Sequence, residues 1–248
     1  MEKTNRTWNS IVDFHTHLLP AIDDGSASAE ETDLLLAAQK EQGIGAVIAT
    51  PHFYTEEGQL EDFLSRRAQA CEKLRSVYDP MRHPTVYLGA EVAFFSGIGH
   101  SRLVERLTVE GTNAILVEMP FRRWSDYEIE ELAALREGMG LIPIVAHIER
   151  YEKYQKHKTV ERLVERGVLF QANAEHFLDA KTEKRAIKDF LRGKIALLGS
   201  DCHNLTHRVP NLSNALSLIC EYRDGEDAIE EMRMLQDFLL KNAKPIEK

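Results

Sequence analysis

Short apolar runs alternate with stretches of helical period along the whole chain. The runs Ile11–Phe14, Ala46–Ala49, Val86–Leu88, Ala114–Val117, Ile142–Ala146, Leu169–Gln171 and Ile195–Leu198 are nearly continuous in aliphatic residues. Continuous rather than alternating apolarity predicts parallel strands covered on both faces. Between them lie helix signals. Ser28-x-x-Glu31 is a capping-box pattern that opens a helix through Leu34, Leu35 and Ala38, stopped near Gly43. Ser125-x-x-Glu128 opens another through Ile129, Leu132 and Leu135, stopped near Gly138. Further helices are expected over Gln59–Tyr78, Thr159–Arg166, Thr182–Leu191, Asn211–Tyr222 and Glu226–Leu240. Repeated strand–helix alternation means right-handed βαβ units, in either an open doubly wound sheet or a closed barrel.

The polar residues at the strand ends choose between these. His15 and His17 follow the first run, His52 the second and Glu91 the third. Glu118 ends the fourth, His147 follows the fifth, and Asp201 with His203 follow the seventh. An open sheet gathers its chemistry at one switch point, whereas a barrel turns every carboxyl strand end toward one mouth. Contributions from six of seven runs predict an α/β fold: a distorted, TIM-like barrel of seven strands. A chain of 248 residues suits one such domain, spanning 1–248.

Charge and cysteine content narrow the setting. There are 31 Lys and Arg against 40 Asp and Glu, a formal charge of −9, which argues against a broad nucleic-acid or anionic-membrane face. No run approaches the ~20 apolar residues of a membrane span. The opening MEKTNRTWNS has no basic segment leading into an apolar one, so no signal peptide is expected. Cys71, Cys202 and Cys220 are widely spaced and odd in number, as free thiols of a cytoplasmic protein would be.

The strand-end residues carry the chemistry. His15-Thr16-His17 places two imidazoles on one side of an extended chain, and Asp201-Cys202-His203 repeats the geometry with a carboxylate. Glu91 and Glu118 end apolar runs, where an unpaired carboxylate is costly; a metal ion, or a salt bridge to Arg150 or Arg208, would relieve it. The histidines His15, His17, His52, His147 and His203 and the carboxylates Asp24, Glu91, Glu118 and Asp201 outnumber the needs of one tetrahedral ion. Imidazole and carboxylate without thiolate suits manganese, iron or zinc in a multinuclear hydrolytic site. Such a site acts on a phosphate ester, and Arg150 and Arg208 would bind its oxygens in bidentate fashion unless each is a surface arginine paired to a glutamate. Cys202 points away from its neighbours and is taken as structural. Asp13 is either a support for a ligand imidazole or a plain buried acceptor. Phe121-Arg122-Arg123-Trp124 is either a grip for an aryl substrate or a loop packed on itself, and Asn173 and His176 are rim candidates. His83, His100 and His157 take no role.

The ordered set HTH…DDG, TPH, GAE, VEMP, AHIERY and SDCHN resembles the PHP (polymerase and histidinol phosphatase) superfamily, from His15 to Arg208. AHIERY and DDG are similar to segments of bacterial metal-dependent tyrosine-protein phosphatases linked to capsular and exopolysaccharide synthesis. The resemblance implies a trinuclear centre, typically manganese. One ion would take His15, His17, Glu91 and Asp201; a second would share Glu91 and add Glu118 and His147; the third would take Asp24, His52 and His203. Arg150 and Arg208 match the phosphate-binding arginines, and the implied substrate is phosphotyrosine in the tail of a bacterial tyrosine autokinase. Two other activities stay open. One is a PHP phosphoesterase acting on histidinol phosphate or a nucleotide. The other is a metal-dependent amidohydrolase, which usually carries a lysine where this chain has Glu118.

Overall fold

The computed structural model describes residues 8–56 and 58–247; the polar opening stretch 1–7 lies outside the described residues. In chain order the elements are β1 (Val12–Thr16), α1 (Ala29–Glu41), β2 (Ala46–Ala49), β3 (His52–Phe53), α2 (Leu60–Val77), β4 (Thr85–Leu88), β5 (Glu91–Ala93) and β6 (Ala114–Glu118). There follow α3 (Asp126–Glu137), β7 (Ile142–Val145), α4 (His157–Glu165), β8 (Leu169–Asn173), α5 (Ala174–Leu178), α6 (Glu183–Leu191), β9 (Leu197–Gly199), α7 (Leu212–Ile219) and α8 (Gly225–Leu239).

The fold is α/β with parallel strands, ordered β1-β2-β4 in one sheet and β3-β5-β6-β7-β8-β9 in the other. Each apolar run carries a strand, and the second and third are each followed by a further short one, β3 and β5. Pro51, which has no N–H, parts β2 from β3, and Gly89-Ala90 parts β4 from β5 opposite it. Both chains then resume in register, with His52 beside Glu91. At the far edge the Asp201 amide donates to the His15 carbonyl (2.8 Å) and the His17 amide to the Cys202 carbonyl (2.9 Å). The exit of β9 therefore lies against β1.

Glycine makes that approach possible. A Cβ on Gly199 would stand 2.7 Å from the Cβ of His15, and one on Gly25 would stand 2.0 Å from the His17 carbonyl oxygen. Strands such as VDFHT are buried at every position, because helices cover them outside and apolar side chains fill them inside. The helices begin where their caps place them. Ser28 accepts from the Glu31 amide, and Ser125 and Glu128 form a complete capping box. Helix α5 and the 3₁₀ turns Ile98–His100, Arg102–Arg106 and Ile148–Tyr151 are too short to show a period. Among the described residues no helix is long and apolar enough to cross a membrane. Among the described residues Cys71, Cys202 and Cys220 form no disulfide.

Candidate metal centre

The carboxyl ends of the strands deliver the polar side chains. His15 lies within β1 and His17 just beyond it; His52 and Glu91 open β3 and β5, and Glu118 closes β6. His147 and Asp201 follow β7 and β9 in left-handed backbone conformations (φ 34° and 53°), which turn their side chains inward at the strand exits.

Glu91 is the hub. Its Oε2 lies 3.2 Å from Nε2 of both His15 and His17 and 3.1 Å from Nδ1 of His52, while its Oε1 lies 2.9 Å from Nε2 of His147. Nε2 of His147 is also 3.4 Å from Oε1 of Glu118. Asp201 Oδ1 stands 3.5 Å from His15 Nε2 and 3.4 Å from His17 Nε2. Asp24, largely exposed, closes the far side, with Oδ1 3.3 Å from Nε2 of His203 and 3.5 Å from Nε2 of His52. All nine of the expected side chains are thus brought to one place. Three sets within them offer ligand atoms lying within 4.8 Å of one another: His17, Asp24, His52 and His203; His15, His17 and Asp201; and His52, Glu91 and Glu118.

The donor chemistry fits divalent ions. Nδ1 of His17 is held by Asp23 (2.8 Å) and Nδ1 of His15 faces Gln171 Oε1 (3.3 Å). With Nδ1–H committed to these acceptors, each ring presents its Nε2 lone pair to the cluster. The two Nε2 atoms are 3.0 Å apart. Facing lone pairs at that distance repel unless a proton or a cation stands before them. Asp201 Oδ1 is buried with no hydrogen-bond donor, another valence that a cation would fill. The charges agree with this. Burial would depress His17, but Asp23 and Glu91 outweigh it and hold its imidazole up to about 10. Burial likewise opposes, and Glu118 and Glu91 overcome, at His147, which rises to about 9. Against the cost of burial, His15, with His147 and His17, holds Glu91 well below the carboxylate range, and His15 and His17, with Arg208, do the same for Asp201. His203 is pushed down by burial and by its neighbours His17 and Arg208.

Both arginines reach this centre. Nη2 of Arg150 and of Arg208 donate to the same oxygen, Asp201 Oδ2, at 2.6 and 2.5 Å, and Nδ2 of Asn173 donates to it at 2.8 Å. The salt bridge from these arginines to Glu91 or Glu118 does not form; their carboxylate is Asp201, and each guanidinium stays about one-third exposed. Asn173 therefore belongs to the centre. His176, on α5, makes no hydrogen bond or ion pair with the centre; its Nε2 is buried without a hydrogen-bond partner.

Asp13 supports no imidazole ring. Its carboxylate accepts from the amides of Ser200 and His15 and from Gln39 Nε2, as a buried structural acceptor. Asp23 and Gln171 do what was considered for Asp13. The sequence pointed to neither: Asp23 stands beside the expected Asp24 in DDG, and a glutamine inside an apolar run gives no signal. Cys202 points away from the donors, its Sγ 3.7 Å from Gln39 Nε2, and burial pushes its thiol up to about 12, as in a structural cysteine. A cavity of about 280 Å³ at the amino ends of β1, β2 and β4 contains no imidazole or cationic group and lies away from these strand exits.

Parallel α/β strands that gather imidazoles and carboxylates at their carboxyl ends, with two guanidinium groups beside them, define a metal-dependent protein of the hydrolase type. The chain belongs to the capsular polysaccharide synthesis family CpsB/CapC, whose model matches residues 11–244. It is 28% identical over 237 residues to tyrosine-protein phosphatase CpsB of Streptococcus pneumoniae, covering 89% of this chain and 94% of that protein. It is 28% identical over 242 residues to tyrosine-protein phosphatase YwqE of Bacillus subtilis (strain 168), covering 94% and 92%. Its fold matches a chain from the crystal structures of YwqE from Bacillus subtilis and CpsB from Streptococcus pneumoniae, described as metal-dependent tyrosine phosphatases. The TM-score is 0.75 at 24% identity, over 96% of this chain and all of that one.

Proposed function

We propose that the chain is a metal-dependent phosphomonoesterase that dephosphorylates protein phosphotyrosine, in the tail of a bacterial tyrosine autokinase controlling capsular and exopolysaccharide synthesis. The observation that carries this is the pairing of Arg150 and Arg208 on one oxygen of a carboxylate that also faces two imidazoles. Phosphate neutralisation and metal ligation thereby meet at Asp201. The names of the relatives CpsB and YwqE support phosphotyrosine as the substrate.

In this reading the strands form one distorted seven-stranded barrel and a single domain over 1–248, working in the cytoplasm, where free thiols persist. Three divalent ions, most suitably manganese, with iron or zinc accepted by the same donor types, are held in three groups. The first is His15, His17, Glu91 and Asp201; the second is Glu91, Glu118 and His147; the third is Asp24, His52 and His203. When bound, the ions supply Lewis acidity and a water activated at neutral pH. The protein's own groups do the rest. Asp201 holds the two guanidinium forks side by side, aimed at the position of the phosphoryl oxygens, where they stabilise the charge of transfer. Asp23 and Gln171 fix the rings of His17 and His15. A phenol of pKa near ~10 leaves without full protonation, so no separate acid is assigned.

The test is elemental analysis of gently purified protein, with turnover of a phosphotyrosine peptide measured against histidinol phosphate. Bound manganese with preferred peptide turnover is expected. His15→Ala or Asp201→Ala abolishes turnover with the fold intact, and Arg150→Ala lowers it about 10²-fold. Activity in metal-stripped protein, or preference for histidinol phosphate, defeats the proposal.

A further inference from the structure

The loop after Glu118 is pinned at nearly every residue. The Met119 amide donates to Tyr151 Oη (3.0 Å), and Arg122 grips both oxygens of Glu128 (2.9 and 2.6 Å). Trp124 is buried, with Nε1 donating to the Pro120 carbonyl (3.1 Å) and its amide to Gln155 Oε1 (3.2 Å); Gln155 Nε2 returns to the Arg122 carbonyl (2.7 Å). One large apolar side chain of this loop stays half in solvent: Phe121 is 49% exposed. Its ring lies nearly parallel to His147 (5.9 Å between centroids, 19°) and to Tyr151 (5.3 Å, 23°). His147 is the imidazole whose Nε2 faces Glu91 and Glu118. A phenyl group is thus held in a fixed orientation, half in solvent, directly beside the donor cluster.

We propose that Phe121 recognises the aryl group of the substrate, stacking with the tyrosine ring while the phosphoryl group lies against Arg150 and Arg208. The inference rests on the phosphotyrosine reading above and names the residue that makes the site prefer aryl over alkyl esters. A phosphoryl group seated among the donors leaves its ester substituent pointing to the rim. There a second ring can stack in offset or edge-to-face geometry, a gain that an alkyl chain does not share. The other aromatic side chain exposed near this loop, Tyr127, has its hydroxyl tied to Ser96 (2.8 Å) and the Gly97 amide (3.0 Å). A ring that merely shielded His147 would affect every ligand equally.

The test is titration of the manganese-loaded full chain with phenylphosphonate and methylphosphonate, which bind without turnover. Phe121→Leu is expected to weaken phenylphosphonate by roughly 3- to 10-fold and leave methylphosphonate within twofold; Phe121→Trp restores the preference. An unchanged ratio of the two affinities in Phe121→Leu, with or without a common loss, overturns the proposal while leaving the phosphatase reading standing. Failure of the wild-type chain to bind either phosphonate overturns both.

Discussion

His17 illustrates how one imidazole is committed to one task by the group behind it. Asp23 occupies Nδ1 and is itself held down to about 2: burial works against its ionisation, but the hydrogen bond from His17 and the amides of Gly25 and His52 prevail. Removing such a support leaves the ligand in place but lets its ring turn and lowers its basicity. Asp23→Ala is therefore expected to weaken manganese binding by about 10- to 100-fold while leaving far-UV circular dichroism unchanged. Competition against a fluorescent chelator measures it, and wild-type affinity in the variant would show that Asp23 does not orient the ring. His176 teaches the opposite lesson about charge. Burial, with Arg185 and Lys194 nearby, holds it down to about 4 despite Asp189 and Asp179. Between about 6.5 and 4 the unfolded chain takes up a proton that the folded chain refuses. Stability from this group is therefore full above 6.5 and falls as the pH drops toward 4. The loss by pH 5 is about 2 kcal/mol at most. His176→Leu should lose correspondingly less stability than wild type between pH 7 and pH 5 in urea titrations; equal losses would contradict the assignment.

At the scale of elements, the centre depends on how closely β9 approaches β1. Gly199 permits this approach, since an added Cβ would meet both the Cβ (2.7 Å) and the amide nitrogen (2.9 Å) of His15. Neither is the far end of a flexible side chain, so the strands must part. Gly199→Ala is expected to cost about 1–3 kcal/mol, the usual range for overpacking, and to lower metal content by displacing His15 from Glu91. Denaturation together with elemental analysis would check it; lost stability with full metal occupancy would mean that His15 had not moved. This strand contact also shows what sequence can reveal. The strands were legible because apolar runs of three to five residues are hard to place elsewhere, and the donors because all but Asp24 end or closely follow such a run; Asp24 stands in the DDG segment, ten residues beyond Phe14. The breaks at Pro51 and Gly89-Ala90, which make nine strands of seven runs, depend on pairing between distant segments. So do the left-handed conformations of His147 and Asp201; His and Asp enter that region more readily than most residues, but nothing in the flanking sequence marks these two. That Arg150 and Arg208 lie beside the donors was legible, but not their common partner, because nothing in their spacing distinguishes Asp201 from the many other carboxylates.

At the scale of the whole molecule, a cage of buried charge sits on a barrel-like core that does not need it. Residues from Trp8 to Ile246 contribute to one continuous apolar cluster, so the fold has its own source of stability apart from the ions. The centre without cations is not neutral in energy. Glu91 and Asp201 are buried and ionised, and the compensating charge comes from protonated imidazoles such as His17 and His147. Metal binding must displace those protons, which makes occupancy weaken in acid. Ions that bind the folded chain and not the unfolded one add stability by mass action, about 2.7 kcal/mol at one hundred times Kd for one site, and the proposed centre predicts this for manganese. For a chain of this size that is a rise of roughly 5–10 °C in Tm over chelator-treated protein. Stripping the metal should thus abolish turnover, lower Tm by that order and leave the secondary structure intact at 25 °C. A thermal scan with and without chelator, followed by circular dichroism and manganese re-addition, distinguishes the cases. Unfolding on chelation would make the ions part of the scaffold, and no change in Tm would mean that His15, His17 and Asp201 hold no ion at all.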